Sequence, residues 1–481
     1  MSKDSLSNLL SSLEFAWRRE RESKVPLTDI QWRADACEPG SILFFQRFDD
    51  GRSDGEIYRR YLAQSEFSVL ITNRMLDCFG DLPGKGVYVT REDDWPQTVG
   101  RFCDLLYPLP PCSGGYVGVT GTNGKTTTVK YLESMLSAHG QRVLSVGTLG
   151  ISLNGAPVME TGFTSPPQIE LRRLLHAQQG RYDTVVMEAS SHALDQGRTY
   201  GIPLRNAGWT NFSQDHLDYH RDETSYFAAK ARILDLIEDG GRLYCTSPDV
   251  ARRLSEAYMP PVSIKVLSAA TLGPEAIAAK PFLALKHNRE NYALAASLAD
   301  ETLGPGEREY WRHINPVDGR FECQVVGDFT LVIDFAHTPD ALDTILTAIR
   351  QAFPLARVLT LFGCGGDRDR DKRHRMGTAA ERQSDMVIVT SDNPRTEDPE
   401  SIIGGILKGM TGDHHAVIVE RPQAIAHMFD MLVNQPAGEP WVALIAGKGH
   451  ERYIDQNGRK RPYSDQDEVE RNLQRLGWNA A

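Results

Sequence analysis

The 481-residue sequence predicts an α/β protein built from three domains. A domain spans roughly 100–200 residues, so this length allows about three of them. Short apolar runs alternate with helical patterns along most of the chain, which indicates mainly parallel sheets. Segment 107–115 carries prolines and glycines that can continue neither a helix nor a strand. We therefore expect a linker there, and domains at residues 1–112, 113–313 and 314–481.

The first domain is expected to be a small α/β unit. Its apolar runs at 41–45 and 68–72 have the length and the residue types of buried strands. The glycine-rich polar loops of the later segments do not occur in residues 1–112. The residues of this domain therefore predict a fold but no particular chemistry.

The central domain begins with an apolar strand at 115–119, which leads into the glycine-rich loop 121–127 and then into a helical pattern. Further strands are expected at 142–146 and 184–188. Ligands of such sheets bind beyond the carboxyl ends of the strands. Residues 188–192 should therefore lie beside the glycine-rich loop.

That loop has the residue types of a phosphate-binding site. Gly121 and Gly124 allow successive backbone N–H groups to point at one anion, while Lys125 adds a positive charge and Thr126 offers a hydroxyl to Mg²⁺. Val119 stands where the pattern G-x-x-x-x-G-K-[ST] has its first glycine. The alternative is an ordinary glycine turn that precedes a helix.

The C-terminal domain is expected to place polar loops along one edge of its sheet. Strands are predicted at 331–334, 358–362, 386–390 and 441–445, and a polar loop follows each of them. Each loop alone is also typical of a simple turn, because glycine, aspartate, asparagine and proline are the residues that turns use. Together, at adjacent strand ends, they would line one crevice.

Segment 215–220 combines carboxylates and imidazoles, which bind divalent metals and transfer protons. Zinc is the weaker assignment, since neither a cysteine nor an H-E-x-x-H helix accompanies this segment. The alternative is a solvated turn whose aspartate caps the next helix.

Lys230 is a single lysine between alanines in the apolar helical segment 226–234. A lysine in such a helix usually extends its ammonium group to the surface. By itself, the pattern therefore favours a surface lysine without a role in chemistry.

Composition excludes some partners. The net charge of −11 gives no general electrostatic reason to bind nucleic acid or an anionic membrane. The seven cysteines are scattered and form no CxxC pair, which favours reduced thiols of the cytosol. The sequence has no apolar signal core at its start and no apolar run near 18 residues. We expect a cytoplasmic protein that acts on small molecules.

Taken together, these motifs resemble those of the Mur ligase family. The resemblance covers residues 113–475 and includes, in order, segments 121–126, 187–192, 215–218, 288–291, 334–338 and 446–451. Within the family, loops 363–368 and 392–395 are similar to those of the members that add the third amino acid to UDP-N-acetylmuramoyl-L-alanyl-D-glutamate, in the form that selects meso-diaminopimelate.

The resemblance implies an ATP-dependent amide ligase of peptidoglycan precursor synthesis. ATP phosphorylates the D-glutamate carboxylate, and the amine of meso-diaminopimelate then attacks the acyl phosphate. The implied cofactors are ATP and Mg²⁺, and the implied partners are the nucleotide-sugar peptide and the diamino acid, handled by a monomer. The implied domains are an N-terminal nucleotide-sugar domain, a central ATPase-like parallel sheet and a C-terminal Rossmann-like domain.

The resemblance also implies roles for individual residues. The catalytic residues are Lys125, His216 and a carbamylated Lys230, and Mg²⁺ is held by Thr126, Glu188, His216 and Lys230. ATP binding falls to Gly121, Thr122, Asn123, Gly124, Lys125, Thr126, Thr127, Asn291, Arg320, Asp334 and His337. The acceptor is bound by Thr164, Ser165, Ser190 and Arg198. The amino acid is bound by Arg368, Asp392, Asn393, Arg395, Gly447 and Glu451, and Arg395 pairs with its distal carboxylate.

The N-terminal segment departs from the family pattern. Gln31 and Trp32 replace the Asp-Ser pair that touches the uracil nucleotide, whereas Arg33 is retained. Leu285 also replaces a glycine, and only about 40 residues separate Cys245 from Asn288. These differences leave a second hypothesis open, in which a paralogue couples diaminopimelate or a similar amino acid to a different carboxylate acceptor.

Two other classes of protein fit less well. An enzyme similar to folylpolyglutamate synthase shares the phosphate loop and the lysine but has no reason to carry segment 392–395. A non-catalytic nucleotide-binding module would tolerate the loss of Glu188, His216 or Lys230, and all three are present.

Overall fold

The computed structural model describes residues 5–22, 25–48, 51–258, 262–317, 319–327, 329–436 and 438–478. Asp318 lies outside the described residues, as does the side chain of Asp218 in the predicted 215–220 segment. The described chain forms three successive α/β sheets, followed by a small hairpin near the C-terminus.

The first sheet belongs to the N-terminal part of the chain. Its strands are β1 (Trp17–Arg19), β2 (Asp29–Gln31), β3 (Ser41–Phe45), β4 (Val69–Thr72) and β5 (Gly86–Val89), and its helices are α1 (Ser5–Ser12), α2 (Asp54–Ile57) and α3 (Trp95–Leu106). The order is β1-β5-β4-β3-β2, and only β1 pairs antiparallel. The predicted strands at 41–45 and 68–72 are confirmed as β3 and β4.

The second sheet carries the glycine-rich loop. Its strands are β6 (Gly115–Thr120), β7 (Val143–Gly147), β8 (Gly150–Leu153), β9 (Ala156–Met159), β10 (Thr184–Glu188), β11 (Leu204–Trp209), β12 (Ile237–Cys245) and β13 (Ser263–Val266). Its helices are α4 (Lys125–Ala138), α5 (Gln168–Ala177), α6 (Ser191–Asp195), α7 (Leu217–His220), α8 (Glu223–Ala231), α9 (Pro248–Tyr258), α10 (Pro274–Ala279) and α11 (Lys286–Leu303).

The strand order of this sheet is β13-β12-β11-β6-β10-β7-β8-β9, and the strands from β13 to β7 in that order are parallel. Strand β10 is buried along its whole length between β6 and β7. Its run of apolar residues is what a strand covered on both faces requires. The loops that follow β6, β10 and β11 therefore meet at one edge.

The third sheet follows the same plan. Its strands are β14 (Glu322–Val326), β15 (Phe329–Asp334), β16 (Arg357–Phe362), β17 (Met386–Val389), β18 (His415–Val417) and β19 (Trp441–Ala446). Its helices are α12 (Pro339–Ala352), α13 (Lys372–Gln383), α14 (Pro399–Leu407), α15 (Arg421–Val433) and α16 (Asp465–Arg475). The order is β14-β15-β19-β16-β17-β18, with β14 antiparallel and the other pairs parallel.

Shorter elements complete the chain. The hairpin consists of β20 (Tyr453–Gln456) and β21 (Arg459–Pro462). Single helical turns are found at Ala34–Ala36, Tyr58–Leu62, Asp77–Asp81, Arg232–Leu236, Pro281–Ala284 and Tyr310–His313. The turn at Arg232–Leu236 ends the predicted helix 226–234 early, after α8.

Hydrogen bonds connect the three sheets, mostly through the helices and loops that flank them. Between the first and second, the Arg173 guanidinium donates to the Ile30 carbonyl at 2.8 Å. Between the second and third, Asn123 Nδ2 donates to Asp340 Oδ2 at 3.4 Å and Arg375 donates to Gln214 Oε1 at 2.5 Å. The glycine-rich loop, which contains Asn123, therefore faces the third sheet.

Two expectations from composition can be compared with the fold. All seven cysteines are described and none of them forms a disulfide. None of the described helices has both the length and the apolar character that a membrane crossing demands.

Candidate active site

The glycine-rich loop has a backbone that suits glycine at two positions. Gly121 has φ +138° and Gly124 has φ +83°, a region that residues with a Cβ avoid. A Cβ on Gly121 would overlap Thr210 Oγ1, and one on Gly124 would overlap Asn291 Oδ1. The loop leads into the 14-residue helix α4. Its N–H groups and the helix dipole therefore favour an anion.

Two lysines meet at one carbonyl of this loop. Lys125 Nζ donates to Gly121 O at 2.9 Å and to Thr122 O at 2.8 Å, and Lys230 Nζ donates to Gly121 O at 2.7 Å. Lys230 is 1% exposed, so the expectation of a surface lysine is wrong. Burial lowers the pKa of both amines, and the charge of Lys125 lowers the pKa of Lys230 further. An anion bound at the loop would relieve this repulsion.

Glu188 ends β10 beside the loop and is 1% exposed. Thr148 donates to both of its oxygens, from the backbone N–H to Oε1 at 2.8 Å and from Oγ1 to Oε2 at 3.1 Å. Its negative charge counters the effect of burial on the pKa of Lys125. Each carboxylate oxygen has room for a second donor or a cation.

His216 and its neighbours form a cluster of rings at the same edge. Its backbone has φ +55°, its N–H donates to Asp215 Oδ1 at 2.8 Å, and its ring lies 4.9 Å from the ring of His192. Desolvation in the cleft and the nearby charge of Lys230 lower the pKa of His216 although Asp215 opposes them. The imidazole is therefore neutral near pH 7, the state in which histidine binds a metal.

The helix-capping alternative for Asp215 is wrong. The N-cap of α8 is Asp222, whose side chain accepts from Ser225 N at 2.7 Å. Helix α7 begins after His216 without a side-chain cap. Asp215 instead accepts a hydrogen bond from the backbone N–H of His216. We infer that Asp215 helps to orient the His216 ring.

The loop after β11 supports the glycine-rich loop, and sequence analysis missed it. Asn211 Oδ1 accepts from Asn123 N at 2.9 Å, and Asn211 Nδ2 donates to Asn123 O at 3.1 Å. Thr210 Oγ1 also donates to Asn123 O. The sequence signal was weak, because strand β11 itself contains Arg205 and Asn206 and only a short apolar stretch precedes Thr210 and Asn211.

A cavity lies between the glycine-rich loop and the third sheet. Gly124, Thr127, Asn291, Arg320 and Asp334, all predicted ATP-binding residues, line it together. Residues that were not predicted also line it, among them Asn211, Thr246, His287, Phe335, Asp340 and Thr344.

Arg320 is poised for a ligand in this cavity. Its guanidinium carbon lies 4.4 Å from the centroid of the Phe335 ring, and its buried Nε has no hydrogen-bond partner among the described residues. Buried donors are almost always paired, so an unpaired one indicates a missing partner. Asp334 is close enough to raise the pKa of Arg320 against the larger, lowering effect of burial.

His337 does not line the cavity that Asn291 lines. Its Nδ1 lies 2.8 Å from the Phe335 carbonyl oxygen. Burial and the charge of Lys372 lower its pKa to about 4. The predicted contact of His337 with adenine stays a prediction.

The predicted acceptor residues form one hydrogen-bonded group. Arg198 Nη1 donates to Ser165 O at 2.9 Å. Ser165 Oγ donates to Glu188 O at 2.8 Å and lies 3.4 Å from Ser190 Oγ. Thr164 Oγ1 accepts from Thr148 Oγ1 at 3.1 Å. Ser165 thus connects to Glu188 directly, Arg198 and Ser190 connect through Ser165, and Thr164 connects through Thr148.

Four of the predicted amino-acid residues, Asp392, Asn393, Gly447 and Glu451, lie together at the edge of the third sheet. Asn393 Nδ2 donates to Glu451 Oε2 at 2.7 Å. Gly447 has φ +114°, and a Cβ there would lie 2.9 Å from Asp392 Oδ2. Burial is the largest influence on Glu451 and raises the pKa of its carboxyl, as does the charge of Asp392. This group is compact and acidic.

Sequence analysis missed Lys448, which lies at the centre of this group. Its side chain is fully buried, with Nζ 3.2 Å from Asp392 Oδ1 and 3.0 Å from Glu451 Oε2. The sequence did contain a signal for Lys448, because it lies in segment 446–451 between Gly447 and Glu451, which were both predicted to bind the amino acid. The residue was overlooked because a lysine side chain is rarely fully buried unless it is paired, and its partners are not visible in the sequence.

Arg395 is held by the hairpin. It has φ +51°, its N–H donates to Asp455 O at 2.9 Å, and its carbonyl accepts from Asn457 N at 2.7 Å. Its Nη1 donates to Gly366 O at 2.6 Å. Among the described side chains, no carboxylate lies within ion-pair distance of its guanidinium. The charge is therefore available to an acid from outside the protein.

Arg368 is exposed in the loop after β16. It lowers the pKa of His192, although burial is the larger cause. This predicted amino-acid residue is therefore close enough to the second sheet for its charge to act on His192.

The predicted magnesium ligands are chemically suited to a hard cation. Among the described residues, no three or more His, Cys, Asp or Glu side chains are close enough together to hold a metal. The predicted set contains only Glu188 and His216 of these types. The Thr126 hydroxyl, a modified Lys230 and substrate phosphates would supply the remaining ligands, as is usual for Mg²⁺.

The altered N-terminal segment lies next to the acceptor residues. Trp32 Nε1 donates to Glu170 Oε2 at 2.9 Å, and its ring lies edge-on to Phe163 at 5.9 Å. Both aromatic rings line an apolar pocket that Arg198 also lines. Arg33 instead pairs with Asp35 at the exposed surface.

Known proteins resemble the chain over most of its length. The models of the Mur ligase middle domain and of the Mur ligase glutamate ligase domain match residues 119–303 and 319–449. A UDP-N-acetylmuramoyl-L-alanyl-D-glutamate–2,6-diaminopimelate ligase from Leptospira borgpetersenii serovar Hardjo-bovis (strain L550) is 33% identical, over 92% of this chain and 93% of its own. The chain belongs to the Mur ligase family. The resemblance drawn from its motifs is confirmed.

Solved structures extend this result to the fold. The structure of a UDP-N-acetylmuramoyl-L-alanyl-D-glutamate–2,6-diaminopimelate ligase superposes with a TM-score of 0.59 at 25% identity, over 95% of this chain and 98% of that one. A folylpolyglutamate synthase from Mycobacterium tuberculosis, complexed with ADP and AMPPCP, gives a TM-score of 0.58 at 18% identity, over 73% and 92%. The second likeness shows a shared fold alone. The three-domain α/β class predicted from the sequence is confirmed.

Proposed function

We propose that this Mur ligase joins meso-diaminopimelate to the D-glutamate carboxylate of UDP-N-acetylmuramoyl-L-alanyl-D-glutamate, at the expense of ATP. Residues 1–112 would bind the nucleotide end of the acceptor, residues 113–313 would bind ATP, and residues 314–481 would bind the amino acid. The reaction would take place in the cytoplasm, where ATP is supplied, and a single chain would carry the whole site.

One observation carries this proposal. Thr148 and Thr164 from the acceptor side, and Glu451 and Tyr453 from the amino-acid side, line the same groove between the second and third sheets. Thr148 of this groove also donates to Glu188, whose negative charge raises the pKa of Lys125 in the glycine-rich loop against the larger, lowering effect of burial. An acceptor carboxylate, an amine and a phosphate can therefore meet there.

In the first step, a carboxylate oxygen of the acceptor attacks the terminal phosphorus of ATP, and ADP leaves. Such a transfer needs positioning and charge neutralisation more than covalent help from the protein. Lys125 and the N-terminus of α4 would hold the phosphates, and Arg320 would meet the nucleotide with its unpaired Nε. Mg²⁺, bound by Thr126, Glu188 and His216, would neutralise charge on the phosphates.

In the second step, the neutral amine of the amino acid attacks the acyl carbon. The C–N bond forms, the C–O bond to phosphate breaks, and the amine loses a proton to solvent or to phosphate. The acidic group of Asp392 and Glu451 would hold an ammonium of the substrate. The unneutralised Arg395 would hold its distal carboxylate, which lysine lacks.

Lys230 would act as a carbamate. Its buried amine has a lowered pKa because of burial and because of Lys125, so a neutral and nucleophilic form is accessible. Addition of CO₂ forms the N–C bond and releases one proton. The product replaces the neutral amine with an anion, which would pair with Lys125 and suit Mg²⁺.

The acceptor identity rests on the N-terminal pocket. Trp32, Phe163 and the neighbouring aromatic residues offer flat apolar surfaces, which suit a stacked uracil ring. The absence of the small polar pair, which Gln31 and Trp32 replace, instead favours the second hypothesis, a different carboxylate acceptor. The two hypotheses share all of the ATP chemistry.

An ADP-release assay separates them. Purified protein is supplied with ATP, Mg²⁺ and meso-diaminopimelate, and the acceptor is varied between UDP-N-acetylmuramoyl-L-alanyl-D-glutamate and other carboxylic acids. The proposal predicts ADP release that needs both the nucleotide-sugar dipeptide and the diamino acid. Release with another acid and none with the dipeptide would contradict it and favour the paralogue.

A further inference from the structure

Lys448 occupies an unusual place for a lysine. Its side chain is fully buried and makes four polar contacts. Its Nζ lies 3.2 Å from Asp392 Oδ1, 3.0 Å from Asn393 Oδ1, 3.0 Å from Glu451 Oε2 and 2.9 Å from Tyr453 O. Three of these partners are residues proposed to bind the amino acid.

The charges around Lys448 define what the pocket can bind. Asp392 and Glu451 together carry two negative charges if both are ionised, and the single positive charge of Lys448 leaves a net charge of about −1 by simple counting. Because Lys448 is enclosed, it neutralises the acids without competing for the substrate site. A net single negative charge complements one ammonium group.

Lys448 also connects the amino-acid group to the hairpin that holds Arg395. Tyr453 begins the hairpin, and Asn393 Oδ1 accepts from Asp455 N at 2.9 Å as well as from Lys448. Asp455 O in turn accepts from the N–H of Arg395. The ammonium of Lys448 thus fixes the group that would receive the substrate ammonium, and it anchors the hairpin that fixes Arg395.

We propose that Lys448 is a positioning residue that sets both affinity and selectivity for the amino acid. It acts by fixing Asp392, Asn393 and Glu451 relative to Arg395, and it does not itself touch the substrate. This inference rests on the proposed function, because it takes these residues as the amino-acid site.

A neighbouring buried ion pair provides a contrast. The Arg421 guanidinium donates to both oxygens of Asp465, at 2.8 and 2.7 Å, and to Ala446 O at 3.0 Å. Both partners are fully buried, and neither contacts Asn393 or Glu451. Lys448 differs because two of its partners, Glu451 and Tyr453, line the groove.

The test measures steady-state kinetics of Lys448→Met, which keeps the length of the side chain and removes its charge. We expect the KM for meso-diaminopimelate to rise on the order of 100-fold, as for a displaced positioning group. The KM values for ATP and for the acceptor should stay within about twofold. The preference for meso-diaminopimelate over lysine should fall, because the hold on Arg395 weakens.

Arg172→Met is the matched control. Arg172 is a buried cation that pairs with Asp104 and donates to Tyr107 O at 3.2 Å, at the junction of the first and second sheets. Its loss should lower stability without changing the ratio of the KM values for amino acid and ATP. If Lys448→Met does not fold, Lys448→Arg keeps the charge, and its larger head should displace Asn393 and raise the same KM.

The outcomes are distinct. An unchanged KM for the amino acid in a folded Lys448 variant would overturn the inference, as would an equal rise in the KM for ATP. If the parent enzyme does not use meso-diaminopimelate, the proposed function fails. The same comparison with the amino acid that the parent does use then still tests Lys448.

Discussion

Replacing Gly124 by alanine tests the geometry of the phosphate loop. Gly124 has φ +83°, and a Cβ there would overlap Asn291 Oδ1. Both residues line the proposed nucleotide cavity. Gly140, two residues beyond the end of α4, has φ +84° and nothing within 4 Å of a Cβ. The two substitutions therefore share the backbone strain and differ in the contact with Asn291.

The strain alone is worth about 1–2 kcal/mol of unfolding free energy for an alanine in the left-handed region. We expect urea unfolding to show a loss of that size for Gly140→Ala and a larger loss for Gly124→Ala, where the overlap with Asn291 adds to the strain. Only Gly124→Ala should also weaken ATP binding. Asn291 must move in this variant, and the N–H groups of the loop must turn away from the phosphates. Loss of one or two hydrogen bonds to a charged ligand costs about 1.5–3 kcal/mol each, so ATP affinity should fall at least tenfold.

Calorimetric titration of ATP into the parent and both variants measures this difference. Gly140→Ala should bind ATP within about twofold of the parent. Equal affinities of Gly124→Ala and Gly140→Ala would refute the reasoning, since the overlap with Asn291 would then have no consequence for the ligand. A double variant, Gly124→Ala with Asn291→Ala, should recover part of the lost stability but not the affinity.

Three further predictions follow from the site. Lys230→Ala should lose at least about 100-fold in activity, with partial rescue by short carboxylic acids that replace the carbamate; full activity without rescue would exclude a carbamylated Lys230. Arg395→Ala should lower the preference for meso-diaminopimelate over lysine by about 2–5 kcal/mol, or roughly 30-fold to several-thousand-fold, whereas Arg459→Ala on the exposed strand β21 should not; an unchanged preference in competition assays would remove Arg395 from this role. Burial lowers the pKa of His287 and of His337 to about 4, below the value near 6.5 of the unfolded chain. The unfolded state therefore takes up protons first, so the unfolding free energy should fall as the pH drops from about 7 toward 4. His287→Gln should show a smaller fall in urea unfolding between pH 7.5 and 5.0 than the parent, and an equal fall would contradict this assignment.

Sequence was sufficient for the central strands of the sheets because those strands are covered on both faces, whereas exposed edge strands such as β9 and β13 were not predicted. Buried parallel strands such as 184–188 must be apolar throughout, and this property is visible without a structure. The phosphate loop was predictable for a related reason, since only glycine fits at Gly121 and Gly124.

Contacts between distant segments could not be predicted in the same way. Lys230 lies 109 positions from Gly121 along the chain, so its burial against that carbonyl leaves no local signal. His337 follows a strand as expected, yet its ring bonds back to Phe335 and not into the cavity. The role of Lys448 was hidden because its partners come from another loop and from the hairpin.

The fate of one oxygen atom tests the central claim most directly. The acceptor is prepared with ¹⁸O in the D-glutamate carboxylate, turned over with ATP and meso-diaminopimelate, and the released phosphate is examined by mass spectrometry. Attack of that carboxylate on ATP, followed by amide formation, transfers one labelled oxygen to each phosphate. The account predicts singly labelled phosphate in step with amide product, and unlabelled phosphate formed alongside the same product would contradict it.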